Sequence, residues 1–219
     1  MDYTQARKNM IDGQLTPNKI INAQLIDRFA KVPREYFVDV SFKKMAYRDN
    51  PVKISSDRYI FSPLVTAHMI QALETSTTDN VLVVAAGTGY SSSILCHMVN
   101  RVYGVENNLN LLEIGRRALL DAACKSVSIL EGAPEKGLES KAPFSKILID
   151  VPVEFVPQKL FEQLKNGGKL VAVERLNDTV SVIKVFSKDE QGKLSAKSLR
   201  EVVTLPTHKC FTNDKGFEF

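Results

Sequence analysis

The sequence predicts an α/β fold: a doubly wound, mostly parallel, Rossmann-like sheet with N-terminal helices and a C-terminal antiparallel edge hairpin. Three observations carry this. Asn80–Ser93 reads NVLVVAAGTGYSSS, an aliphatic run that breaks into small residues. A second apolar run, Arg101–Val105, ends on the carboxylate of Glu106. Strand and helix patterns then alternate as far as Val173, after which two strand patterns follow one another across Asp189–Gly192. Alternation requires parallel strands joined by helices, and a short turn between strands requires an antiparallel pair.

Along the chain, Asp2–Gln14 reads as a polar helix ending near Gly13. Asn22 suits the N-cap of a second helix through Lys31, with Leu25, Ile26 and Phe29 on one face and Pro33 beyond its end. Val38–Asp57 is irregular and holds Pro51, as expected of a segment lying over a site. Ser62 and Pro63 are favoured types for an N-cap and first helical residue, and open a helix to about Glu74. Strands are expected at Asn80–Val84, Arg101–Val105, Ser126–Leu130, Ser145–Asp150, Lys169–Val173, Thr179–Ser187 and Ser198–Leu205. Helices are expected at Ser91–Val99, Leu109–Ala123, Pro134–Gly137 and Pro157–Leu164. One domain spanning 1–219 follows, with an N-terminal segment (1–79) over the site, a core (80–174), and edge strands with a tail (175–219).

The strand-to-loop junction is where a ligand belongs in such a sheet. Gly87 and Gly89 let the backbone turn tightly and approach a bound group, with Ala85 before them and Tyr90 opening the next helix. An acid at the tip of the second strand holds ribose hydroxyls, which assigns Glu106, with Asn107 beside it, to a nucleoside. A dinucleotide fingerprint needs G-x-G-x-x-G, whereas the spacing here is A-x-G-x-G. That spacing suits S-adenosyl-L-methionine, which carries no pyrophosphate. No P-loop sequence is present. The plain alternatives are a small-residue turn of any parallel sheet and a solvated acid at a strand end. Asp150 closes the fourth strand on the same edge, where it either meets a ligand or caps the Pro152 turn. Lys146 and Glu174 read as surface or loop residues.

Composition narrows the class. The chain has 219 residues, 44% hydrophobic and 25% charged, as in ordinary globular proteins. A net charge of +4 is spread without blocks, so nucleic-acid binding is not inferred. Cys96, Cys124 and Cys210 lack C-x-x-C spacing, which argues for a reducing compartment, and their neighbours His97 and His208 do not make zinc spacings. Buried thiols, surface histidines and no metal are expected. No signal peptide is evident, and no apolar run approaches the roughly 18–20 residues of a membrane span. A cytoplasmic location and a monomer are expected, with no membrane partner.

The order of motifs resembles the protein-L-isoaspartate O-methyltransferases. LIDRFAKVPREYF (Leu25–Phe37) is similar to that family's N-terminal helix and V-P-R turn. Asn80–Tyr90 and Arg101–Glu106 are similar to its two cofactor motifs, and APFSKILIDVPVEFVP (Ala142–Pro157) with LFEQLKNGGKLVAV (Leu160–Val173) to its later strands. The match runs from about Met10 to Val173. It implies S-adenosyl-L-methionine as cofactor and isoaspartyl residues of damaged proteins or peptides as acceptors.

Some positions depart from the family pattern. The family's I-S-x-P serine contacts substrate; anchoring on Pro63 puts Phe61 at that position, and Ser62 falls one residue late, as an N-cap. The first cofactor motif has Val83 and Ala85 where the family has an acid and a glycine. The later G-D-G, whose acid reaches the adenine, is Gly132, Ala133 and Pro134 here. The tail CFTNDKGFEF does not resemble the family's ending, as in a divergent bacterial branch. Three functions follow: isoaspartyl repair, methylation of another acceptor, or a binding module that keeps the fold. Methyl transfer to a carboxylate needs no general base, since such a group, with a pKa of about 3.3–3.9, is ionised at neutral pH. Alignment of the reacting atoms alone can contribute roughly 7–11 kcal/mol.

Overall fold

The computed structural model describes residues 1–213; the last six residues of the divergent tail lie outside the described residues. Helix α1 (Tyr3–Met10) starts at Asp2, whose carboxylate accepts from the Gln5 N–H. The expected single helix to Gln14 instead passes into a π-helical turn, Ile11–Leu15, which carries Leu15 into the core. Helix α2 (Ala23–Lys31) is capped by Asn22, which accepts from the Leu25 N–H at 3.0 Å, and buries Leu25 and Phe29 on one face.

The segment expected to be irregular contains a hairpin. Strand β1 (Val52–Lys53) pairs antiparallel with β2 (Tyr59–Ile60), in the register Val52↔Ile60 and Lys53↔Tyr59. Two-residue strands leave no alternation to read, so the sequence pattern does not reveal them. Helix α3 (Pro63–Leu73) then begins at Ser62, whose hydroxyl accepts from the Val65 N–H at 3.3 Å.

The main sheet follows. Its elements are β3 (Asn80–Val84), α4 (Tyr90–Leu95), β4 (Arg101–Glu106), α5 (Leu109–Asp121), β5 (Val127–Glu131), β6 (Phe144–Val153), α6 (Gln158–Glu162), β7 (Leu164–Arg175), β8 (Ser181–Lys188) and β9 (Leu194–Val202). Seven strands pair in the order β5-β4-β3-β6-β7-β8-β9. The pairs among the first five are parallel, and β7–β8 and β8–β9 are antiparallel.

Central strand β3 shows why its sequence is aliphatic at every position. Val81 and Val83 enter the core on the face covered by α2, α3 and α4, while Leu82 and Val84 enter the opposite core with Leu160, Phe161 and Phe211. A strand buried on both faces has no polar side to alternate with.

Several boundaries differ from expectation. Strand β9 starts at Leu194 rather than Ser198, because the turn closed by the Asp189 N–H on the Lys193 carbonyl sets the pairing. Its residues are nearly all exposed, so no apolar period marks the strand. Helix α4 stops at Leu95 instead of Val99, and β7 extends back to Leu164. Lys146 and His208 are buried rather than on the surface. Glu174 pairs with Lys184 at 2.8 Å within the sheet.

Candidate active site

The loop between β3 and α4 lies at the carboxyl edge of the sheet. Its backbone is left-handed at three positions: Ala85 (φ 54°), Gly87 (φ 58°) and Gly89 (φ 83°). At Gly89 a Cβ would lie 2.8 Å from Ile129 Cδ1, so a side chain there would require that methyl group to shift. The turn is held by the Ala86 N–H on the Val105 carbonyl (3.0 Å) and the Gly89 N–H on the Ala86 carbonyl (2.9 Å). Thr88 ties it to the N-terminal segment by donating its hydroxyl to the Phe37 carbonyl at 2.7 Å.

Glu106 is fully buried at the end of β4. Three backbone N–H groups fix its carboxylate: Gly87 on Oε2 at 2.7 Å, and Asn107 and Asn108 on Oε1 at 3.0 and 2.9 Å. An acid buried and held in this way is not the solvated strand-end acid of the alternative reading. The remaining face of the carboxylate is taken by Arg58, from the β1–β2 hairpin. Its Nη1 donates to Oε1 and its Nη2 to Oε2, both at 2.9 Å, and Nη2 also donates to the Ala85 carbonyl at 2.8 Å. This buried, bidentate pair would cost about 3–5 kcal/mol to break by removing one partner.

The residues match a nucleoside site in kind, but this arrangement does not admit S-adenosyl-L-methionine. The space left between the hairpin and the glycine loop, lined by Ile54, Arg58, Tyr59, Gly87, Tyr90 and Asp150 among others, is about 10 Å³. That is room for one water at most. A cavity of about 240 Å³ lies on the outer side of Arg58, bounded by Asp57, Asn107, Asn108, His208 and Lys209. A cavity of about 720 Å³ runs along α5 and β5 between Leu119, Leu120, Cys124 and Ile129 and touches no candidate site residue.

On the acceptor side, Phe61 is buried in the core and offers no polar side-chain atom to a substrate. Its carbonyl accepts from Arg34 Nη2 at 2.6 Å, and Arg34 Nε donates to the Ala46 carbonyl at 2.7 Å. The V-P-R arginine is therefore a clamp on the chain entering α3. Its guanidinium stacks 4.6 Å from the centroid of the Tyr90 ring, which is itself buried. Behind it, Tyr47 donates to Glu35 and accepts from Arg7 Nε at 2.9 Å and from the Arg34 N–H at 3.1 Å. Ser62 is buried at the helix start and spends its hydroxyl on the cap.

Asp150 lines the small cavity from β6. Desolvation raises its pKa to about 7, against the opposing influence of the Ser91 side chain and the Arg58 and Arg34 charges. Gly132 sits at the tip of β5, its N–H donating to the Glu106 carbonyl at 3.1 Å, and Ala133 leads into a 3₁₀ turn at Pro134–Lys136. Ala133 brings no carboxylate to the position of the family's adenine acid. Instead the His208–Phe211 segment closes over this end: Asn107 Nδ2 lies 3.7 Å from Cys210 Sγ, and the His208 N–H donates to the Pro152 carbonyl. Elsewhere Cys96 and Cys124 are buried and His97 exposed, with ligand atoms all within 4.8 Å of one another. Sequence spacing did not show this grouping, because Cys124 arrives from the far end of α5.

Arg58 is the residue that sequence reasoning missed. It is one charge in an irregular segment, 48 positions from its partner, and no motif marks it.

Comparisons with known proteins agree with this architecture. The model of the family described as Protein-L-isoaspartate(D-aspartate) O-methyltransferase matches residues 5–210. A protein-L-isoaspartate O-methyltransferase of Geobacter metallireducens is 35% identical over 204 residues, covering 93% of this chain and 92% of its own. One from Photobacterium profundum is 32% identical over 195 residues, covering 89% and 92%. A solved protein-L-isoaspartate O-methyltransferase superposes with a TM-score of 0.81 over 94% of this chain and 67% of its own, at 21% identity. A Plasmodium falciparum protein described as such an enzyme, in complex with S-adenosyl-L-homocysteine, gives 0.77 over 95% and 99%, at 18% identity. These two structures show the shared fold, while the sequence matches show kinship: the chain belongs to the protein-L-isoaspartate O-methyltransferase family.

Proposed function

We propose that the crevice at the carboxyl edge of β3, β4 and β6 transfers methyl groups to isoaspartyl carboxylates, with Glu106 and the Gly87–Gly89 loop holding the nucleoside. The chain is an S-adenosyl-L-methionine-dependent protein-L-isoaspartate O-methyltransferase by family, with a 35% identical relative of that name matched along nearly its whole length. The observation that carries the site is the fully buried Glu106, fixed by three backbone donors beside a left-handed glycine loop.

When bound, the cofactor supplies an activated methyl group. The protein's part is to orient and to exclude water, which suits a site built from backbone donors, buried aromatics and a rigid turn. Arg34 sets the backbone at Phe61 and Thr88 ties the glycine loop to the segment above it. Three free cysteines support a reducing, cytoplasmic setting. Among the described residues, no helix is long and apolar enough to cross a membrane. The relatives matched in sequence above carry the isoaspartyl name, which favours that acceptor over another acceptor or a binding module.

The test is transfer of labelled methyl to an isoaspartyl peptide, with its aspartyl isomer as control. Label on the isoaspartyl peptide alone is expected. Equal labelling of both, or of neither, would overturn the assignment.

A further inference from the structure

We propose that the β1–β2 hairpin is a latch, with Arg58 standing in for the cofactor on Glu106, so that ligand binds only when the hairpin lifts. This rests on the methyltransferase reading of the crevice.

The orientation of the Glu106 carboxylate is set by the Gly87, Asn107 and Asn108 N–H groups, none of which belongs to the hairpin. The carboxylate therefore keeps its place when Arg58 leaves. Arg58 supplies two N–H donors to its two oxygens, and the hydroxyls of a ribose are donors too. The two sets of donors compete for one face. A second residue acts with Arg58: Ile54 Cδ1 lies 3.2 Å from where a Cβ on Gly87 would be, against the face that the glycine leaves open. Together they reduce the crevice to about 10 Å³.

The hairpin itself is lightly built. It has two Cα pairs, and the Ile54 and Ser55 N–H groups close its turn on the Arg58 carbonyl at 2.9 and 3.3 Å. Ser56 and Asp57 at its tip are exposed. Among the described residues Arg58 Nε is buried without a partner, so the closed state leaves one N–H of the guanidinium unsatisfied there. The cavity of about 240 Å³ on its outer side, next to Asp57, gives the side chain a place to swing. The apparent affinity for ligand is then the intrinsic affinity reduced by the fraction of molecules that are open.

Calorimetry with S-adenosyl-L-homocysteine on wild type, Arg58→Gln and Ile54→Ala tests this, alongside hydrogen exchange of residues 52–60 with and without that ligand. Arg58→Gln should bind at least tenfold tighter than wild type, about 1.4 kcal/mol, and Ile54→Ala, which keeps the ion pair, several-fold tighter. In wild type, ligand should speed exchange across 52–60. Equal or weaker binding in both variants, slower exchange on binding, or no binding by any of the three proteins would overturn the latch. Methyl transfer at saturating cofactor separates the two readings. Tighter binding in Arg58→Gln without isoaspartyl labelling removes the acceptor assignment and leaves the latch; labelling with equal affinities does the reverse.

Discussion

At the scale of single residues, Ala85 takes a bend that its methyl group opposes. A left-handed conformation costs a non-glycine residue roughly 1–2 kcal/mol, and Ala85 stands at φ 54°. Glycine there would lose about 0.4–1 kcal/mol through its freer unfolded chain. Ala85→Gly should therefore raise stability by roughly 0.5–1 kcal/mol in urea unfolding; a loss would show that the methyl packs better than the bend costs. Ser62 is the opposite case, a residue whose role was legible. Ser before Pro predicts an N-cap, and the hydroxyl sits on the Val65 N–H. Ser62→Ala should cost about 0.5–2 kcal/mol, and methyl transfer should persist at a comparable rate. Phe61 was legible as a departure but not in its consequence. Its ring is 2% exposed, so Phe61→Ser removes core volume, and a loss of about 3–5 kcal/mol is expected in thermal or urea unfolding. The position of Glu106, buried at the end of β4, was readable because an apolar run that stops at an acid marks the end of a strand. Arg58 was not, since its meaning comes only from a partner far away in the chain.

At the scale of elements, legibility follows length and burial. Strand β3 and helix α2 were found with correct bounds or nearly so, because a doubly buried strand and a capped amphipathic helix each leave a period or a cap in the sequence. Strand β9 and the β1–β2 hairpin leave neither. The V-P-R turn shows how a short motif can serve the site without touching a ligand. Arg34 bonds the carbonyls of Ala46 and Phe61, joining three segments above the crevice. Arg34→Ala leaves both carbonyls without that donor, and hydrogen bonds to a charged group are worth about 1.5–3 kcal/mol each. A stability loss of about 3 kcal/mol or more is expected, together with faster hydrogen exchange at the start of α3. A loss of activity with full stability would instead place Arg34 on the substrate.

At the scale of the whole molecule, alternation of strands and helices was enough to give a parallel sheet with its crevice at the carboxyl edge. It was not enough to say that the crevice is closed, because closure depends on how the N-terminal hairpin and the His208–Phe211 segment fall across that edge. The same enclosure makes a prediction about pH. Desolvation lifts the folded-state pKa of Asp150 to about 7, while an unfolded aspartate titrates near 3.9. Between these values the native state holds more protons than the unfolded one, so this group's contribution to stability falls as pH rises from about 4 to about 7, then levels. Asparagine mimics the neutral form and does not titrate. Asp150→Asn should therefore match wild type near pH 4 and gain on it with rising pH, with an advantage on the order of a few kcal/mol by pH 8. Urea unfolding of both proteins across that range checks it, and a difference that did not change with pH would mean that water reaches the Asp150 carboxylate in the folded protein.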